Sequence, residues 1–293
     1  MKIAVITDSN SGMTAEDAKV NGITLLPMPF LINGEDYLDG VNLTHEEFFE
    51  KLGQDADVST SQPSPGMVMD LWDEMLKEND QLVYIPMSSG LSKSYETAAL
   101  LAATDYEGKV FVVNDKRIGP TQRDAALDAK KLVDRGYDGQ QIKDILERES
   151  LDASIYIMVD TLKYLKKGGR VTVAGAAIGT VLNLKPVLQI QGDKLDAFAK
   201  SRGVKNAKKT MIEQMKKDLA GRFQASAAAG RMTLYAITCH VSPETKAAWI
   251  QEVKNAFPDM DVQEGELSLS VSCHIGPGAL AISTAQIPEE ACK

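Results

Sequence analysis

A chain of 293 residues supplies about two compact units at roughly 150 residues each and material for a sizeable buried core, which excludes small disulfide-stapled scaffolds. Its 32 basic and 41 acidic side chains leave a net charge of −9, which disfavours broad attraction to nucleic acid or anionic lipid and leaves only local basic patches. With 44% hydrophobic and 25% charged residues the composition is that of a folded globular chain, and the longest apolar runs, over 25–32 and 174–184, fall short of the ~18 to 20 residues of a membrane helix.

Residues 3–7 are an apolar run that passes straight into a polar turn at Asp8, which predicts a first strand rather than a cleavable leader, and a cytoplasmic protein. Further strands are expected over 23–27, 82–86, 110–113 and 155–159, alternating with amphipathic helical patterns, so the first half reads as an α/β domain with a parallel sheet. Thr44 and Glu47 form a capping box ahead of Phe48 and Phe49, and Ser64 followed by Pro65 marks a second helix start. Val68, Leu71, Trp72 and Met75 then make one apolar stripe suited to packing. The charged helix over 144–149 gives way near 151–153 to a new apolar strand, which divides the chain into domains 1–152 and 153–293.

The second half opens with a Gly/Ala-rich helix over 173–182, a strand over 185–190 and a turn at Gln191, Gly192 and Asp193. A helix over 206–219 with Met211, Ile212, Met215 and Leu219 on one face follows, then a strand over 234–239, a helix started by Ser242 and Pro243, and closing strands. There is no internal repeat and no low-complexity tract. Cys239, Cys273 and Cys292 are odd in number and form no CxxC pair, which fits plain thiols in a reducing compartment and argues against a zinc or iron-sulfur cluster.

Four polar loops close apolar runs, over 7–11, 59–64, 87–92 and 273–279, and open α/β sheets bind ligands beyond the carboxyl ends of their strands. A single Ser or Thr before a helix is ordinarily a cap; several together suit a hydrogen-bonding cradle for an anionic oxygen, helped by the helix start after Ser88. No GxxxxGKS/T, GxGxxG, HExxH, GxSxG or DxDxDG motif occurs, and His45, His240 and His274 are scattered, so neither a nucleotide cofactor nor a metal is assigned. Ser61 or Ser92 with His274 would make a hydroxyl and imidazole pair for a serine hydrolase or acyltransferase, although the sequence identifies no carboxylate to orient the ring. Lys166, Lys167 and Arg170, and Lys200, Arg202, Lys205, Lys208 and Lys209, form two basic clusters, either solvated surface or a docking patch for an acidic partner or phosphate.

Read in chain order, Asp8 Ser9, Tyr37 to Gly40, Thr60 Ser61 Gln62 Pro63 Ser64, Ser88 Ser89 Gly90 Leu91 Ser92, Thr161 to Arg170, Lys185 Pro186 and His274 to Ala279 make a set that resembles the DegV family of bacterial fatty acid-binding proteins over nearly the whole chain. The resemblance implies a two-domain α/β fold, with an N-terminal parallel sheet and a C-terminal domain with a mixed sheet. It implies one long-chain fatty acid with its carboxyl group held where the domains meet and its tail buried in the C-terminal domain. On that resemblance Thr60 and Ser92 hydrogen-bond the carboxylate, His274 lies beside it, and Ser61, Ser89, Gly90 and Gly276 are neighbours. Leu162, Leu165, Leu188 and Ile190, with apolar side chains of the 173–182 helix, are candidates to line the cavity.

The same resemblance implies a carrier rather than an enzyme, without a cofactor and monomeric when free. Its partner is a separate ATP-dependent fatty acid kinase that phosphorylates the carboxyl group and so feeds phospholipid synthesis; Arg170 and Arg202 match positions associated with that partner and the phosphate. A carrier of some other amphipathic acid is a further possibility. The chain departs from the family pattern at Lys93, where glycine is usual, at Glu96, where glutamine is usual, and over Asn114 to Thr121, where the family commonly has an Asp-Ser stretch and a glycine-rich helix start.

Overall fold

The computed structural model describes residues 1–170, 184–192 and 194–292; the helix expected over 173–182 and Asp193 of the expected turn lie outside the described residues. The chain divides into one unit of Met1–Leu151 with Ile287–Lys293 and a second of Asp152–Gln286.

The first unit runs β1 (Ile3–Asp8), α1 (Ala15–Val20), β2 (Ile23–Leu26), β3 (Pro29–Ile32), β4 (Glu35–Leu38), α2 (His45–Gly53), β5 (Val58–Thr60), α3 (Pro65–Leu76), β6 (Gln81–Ile85), α4 (Ser94–Asp105), β7 (Val110–Val112), α5 (Pro120–Asp134) and α6 (Gly139–Arg148). Its main sheet has the order β2-β1-β6-β7, all parallel. Alternate side chains serve opposite faces, as the pleat requires. Val5 and Val83 pack with Ala125, Leu132 and Ile142 of α5 and α6, whereas Ile6 and Tyr84 pack with Val68 and Trp72 of α3 and Ala98 of α4. The chain moves from β1 to β2 on one side and returns to β6 on the other, so the order reverses between β1 and β6, the place where open α/β sheets leave a crevice.

The expected capping box at Thr44 and Glu47 is present, and the Ser64 side chain accepts the Met67 N–H ahead of Pro65 at the start of α3. Replacing Ser64 with alanine is expected to lower stability by about 1 kcal/mol, read as a shift in the urea midpoint at unchanged slope. A second sheet, β4-β3-β5, was not expected from the apolar pattern. Its strands are too short for a period to register, but Asn33 and Gly34, at φ 53° and 84°, are the two-residue hairpin turn that joins β3 and β4. That sheet makes Thr60 the last residue of a strand, paired with Phe30, rather than part of a loop.

The second unit contains β8 (Ala153–Met158), α7 (Lys163–Gly168), β9 (Leu184–Ile190), β10 (Leu195–Arg202), α8 (Gly203–Ala220), α9 (Gln224–Ala228), β11 (Leu234–Cys239), α10 (Pro243–Ala256), β12 (Val262–Glu266), α11 (Leu269–Ile275) and β13 (Ala279–Ala285). Its mixed sheet has the order β10-β9-β8-β13-β11-β12, with β11 and β12 parallel and the other neighbours antiparallel. Met211 and Met215 of α8 and Trp249 of α10 are fully buried against Tyr156, Leu280 and Ile282 of the sheet.

Two expectations are corrected. The closing strands are present as β12 and β13, but where a turn was expected over 273–279, Ser268 caps α11 by accepting the Val271 N–H, and His274 stands in the last turn of that helix. A segment this short has weak intrinsic preference, and packing against the unit decides it. The C-terminal residues, expected within 153–293, belong to the first unit, where α12 (Glu289–Cys292) packs on α5. Ala291 and Ile287 cover the apolar cluster around Leu132, and Arg148 bonds Glu290 at 2.9 Å.

Candidate functional site

In the first unit the loop after β6 is built on Ser88. Its backbone N–H donates to the Arg117 carbonyl, and its carbonyl accepts from Leu91 and Ser92 at 3.0 and 3.1 Å. The Gly90 N–H donates to the Ser88 hydroxyl at 3.3 Å, and Ser89, Gly90 and Ser92 are half-buried. Ser92 accepts the Ser94 N–H at 3.2 Å and shares a 2.8 Å bond with the Ser94 hydroxyl, so it also caps α4. Thr60 is half-buried at the end of β5, and the exposed Ser61 bonds through its N–H to the Pro29 carbonyl. Gln62 then exchanges hydrogen bonds with Thr97 of α4 at 3.0 and 3.2 Å, which ties the Thr60 and Ser61 segment to the helix that Ser92 caps.

Below these hydroxyls lies a polar knot that sequence reasoning left unassigned. Asp8 is fully buried; it accepts from the Met87 and Asn10 N–H groups and from Gln122 at 2.8 to 3.0 Å, and burial raises its carboxyl above the ordinary value. Ser9 bridges the Met28 N–H and Asp39. These bonds fix the ends of β1 and β6, and so the base of the Ser88 loop.

Lys93 adopts φ −84° and ψ 4°, a backbone open to any residue, so the usual glycine is replaced without strain. The two departures there meet, because Lys93 pairs with Glu96 at 2.9 Å on the exposed surface.

In the second unit α7 and α11 are packed together. His274 is mostly buried; burial, and then the Arg170 guanidinium, push its imidazole down to about 4, so the ring is neutral through the physiological range. Gly276 ends α11 at φ 76°, with the Tyr164 ring where a Cβ would stand. The Cys239 thiol donates to the Gly276 carbonyl at 3.1 Å and its carbonyl accepts the Gly278 N–H, so this buried thiol, pushed up to about 12 by burial, anchors the His274 turn. Arg170 is half-buried and donates to the Gly168 carbonyl. Arg202 is exposed at the start of α8, while Lys208 and Lys209 of its cluster pair with Glu252 and Glu213.

Thr60, Ser61, Ser89, Gly90 and Ser92 thus belong to the first unit, and Arg170, Arg202, His274 and Gly276 to the second. Of the expected lining residues, Leu162, Leu165, Leu188 and Ile190 are buried in the second unit. Among the described residues no cluster of His, Cys, Asp and Glu is placed to hold a metal ion, and no helix is long and apolar enough to cross a membrane.

Residues 2–286 match the family model described as "Uncharacterised protein, DegV family". A DegV domain-containing protein of Deinococcus radiodurans is 31% identical over 284 residues, which are 97% of this chain and 98% of that one. Two solved structures are also similar. A DegV family protein from Thermus thermophilus, described as binding fatty acid, is 30% identical with a TM-score of 0.82 over 98% of this chain and 100% of that one. Bacillus subtilis DegV, described as a fatty acid binding protein, is 28% identical with a TM-score of 0.82 over 98% and 99%. With the family model spanning both units and the same architecture throughout, the chain belongs to the DegV family.

Proposed function

We propose that this protein is a non-enzymatic carrier that takes up one long-chain fatty acid and presents its carboxyl group to a separate ATP-dependent kinase, whose acyl phosphate product feeds phospholipid synthesis. In this reading Thr60 and Ser92 donate hydroxyl hydrogen bonds to the carboxylate, and Ser61, Ser89, Gly90, His274 and Gly276 are the further residues assigned to the head group. The hydroxyl bond between Ser92 and Ser94 can run either way, and with Ser94 as the donor the Ser92 O–H points at the ligand. The kinase and its phosphate meet Arg170 and Arg202.

The observation that carries this reading is the likeness, over nearly the whole of both chains, to the Thermus and Bacillus proteins described as binding fatty acid. A mostly buried His274, neutral through the physiological range, suits donating a hydrogen bond to a carboxylate.

A sixteen-carbon acid buries about fifteen methyl and methylene groups at roughly 0.8 kcal/mol each, a gross gain of about 12 kcal/mol against an association cost of roughly 4 to 15 kcal/mol. Hydrogen bonds to the carboxylate, about 1.5 to 3 kcal/mol each, mainly offset its desolvation, so the tail sets affinity and the head group sets orientation.

Mass spectrometry of the denatured purified protein is expected to release an intact long-chain acid; a covalent serine adduct or ester turnover in its place would favour a hydrolase. Replacing Thr60 and Ser92 together with alanine is expected to weaken acid binding modestly and to slow phosphorylation of the carried acid by an order of magnitude or more. Equal phosphorylation from both carriers would overturn the head-group assignment.

A further inference from the structure

Helix α7 ends in two glycines that answer to different demands. Gly169 is the left-handed cap at φ 65°, its N–H closing on the Lys166 carbonyl, and a Cβ there would meet nothing within 4 Å among the described residues. Gly168 is still helical, and in a helix alanine is the better residue by about 1 kcal/mol, so the backbone does not call for glycine. What calls for it is the imidazole. A Cβ on Gly168 would lie 2.1 Å from His274 Nδ1, 2.7 Å from Cε1 and 3.3 Å from Cγ.

The contact has a mirror image two residues along, where a Cβ on Gly276 would lie 2.2 Å from Tyr164 Cδ2. Each helix therefore lays one ring on a bare Cα of the other element, and Cys239 holds the turn between from behind. Gly168 also receives Arg170 on its carbonyl, so one residue seats both the imidazole and the guanidinium that depresses it.

We infer that Gly168 is a positioning residue, whose missing side chain sets the orientation in which His274 offers its N–H to the carboxyl group of the bound acid. The inference rests on the carrier reading above. The Arg170 guanidinium acts on the imidazole, Tyr164 of α7 and the Cys239 thiol of β11 hold Gly276 two residues along, and Asp160, which pairs with Lys185 of β9, stands beside Gly278. In that setting a displaced ring gains water and moves away from Arg170.

The test uses the full chain, freed of lipid, with oleate as the probe. Gly168→Ala, His274→Ala, their double variant and Gly169→Ala are compared by oleate calorimetry, and the imidazole titration is followed by nitrogen NMR. In Gly168→Ala the His274 midpoint is expected to move from about 4 toward its ordinary 6.5. Oleate affinity should fall about tenfold, as in His274→Ala, with no further loss in the double variant. Gly169→Ala, strained at the same helix end, should lower thermal stability and leave the His274 midpoint in place.

An unmoved midpoint in Gly168→Ala, an additive loss in the double variant, or an equal shift in Gly169→Ala would each overturn the inference. Full oleate affinity in His274→Ala would instead overturn the head-group reading beneath it, and the titration tells the two failures apart.

Discussion

Replacing Asp115 with asparagine is expected to make the protein more stable at pH 8 by about 2 to 4 kcal/mol. Asp115 follows β7 and is buried; one carboxyl oxygen accepts the Arg117 N–H at 3.1 Å and the other has no hydrogen-bond partner among the described residues. Burial raises its carboxyl to about 7, the nearby Arg117 guanidinium and N–H oppose the rise, and Asp8 adds to it. The folded chain therefore holds this proton up to about pH 7, whereas the unfolded chain releases it near the ordinary 3.8. Between those values the folded state binds more protons, so stability falls as pH rises and levels off above about 7.

At about 1.4 kcal/mol per pH unit the Asp115 contribution to that decline is on the order of 4 kcal/mol. Asparagine keeps the acceptor for Arg117 and carries no charge to desolvate. Urea unfolding at pH 5, 6, 7 and 8 should show a shallower decline in the variant than in the parent, the remainder coming from Asp8 and Asp128, whose carboxyls burial also raises. A variant less stable than the parent at pH 8 would mean instead that Arg117 needs the ionised carboxylate beside it.

Replacing Asp218 with alanine is expected to cost about 3 to 5 kcal/mol of stability. Asp218 lies near the end of α8, buried, and one of its oxygens accepts from Tyr156 at 2.6 Å, Ser154 at 2.8 Å and Gln191 at 3.3 Å, while the other accepts from Gln214 at 3.0 Å. Through it one helix is tied to β8 and to the turn after β9. The alanine variant leaves the buried Tyr156 and Ser154 hydroxyls without their acceptor, and each orphaned group carries a desolvation cost of about 1 to 3 kcal/mol. Asparagine keeps one acceptor oxygen and should cost about half as much. Chemical unfolding of both variants, with circular dichroism confirming the fold, decides; a loss below about 1 kcal/mol for alanine would show that water enters and satisfies the pair.

How much of this was legible in the sequence depended on the reach of each interaction. The alternation of strands and helices, the Thr44 capping box, the Ser64 and Pro65 start and the stripe through Val68 and Trp72 are set by hydrogen bonds and side-chain periods that span a few residues, and the structure has them where expected. The β3, β4 and β5 strands escaped because three or four residues are too few to show a period, although Asn33 and Gly34 were a readable hairpin signal. His274 was expected in a turn and sits in a helix, since neither local pattern is strong and packing chooses.

Left to itself, the sequence determined the α/β class, the family and the residue types offered to a ligand, because hydrophobic period, cap chemistry and ordered motifs are all written in neighbouring positions. Only the tertiary structure decided that Gly168 seats the His274 ring, that Asp115 keeps its proton to about pH 7, and that the residues after Gln286 rejoin the first unit. Those outcomes depend on water being excluded and on atoms from distant parts of the chain coming within van der Waals reach, which no local pattern encodes.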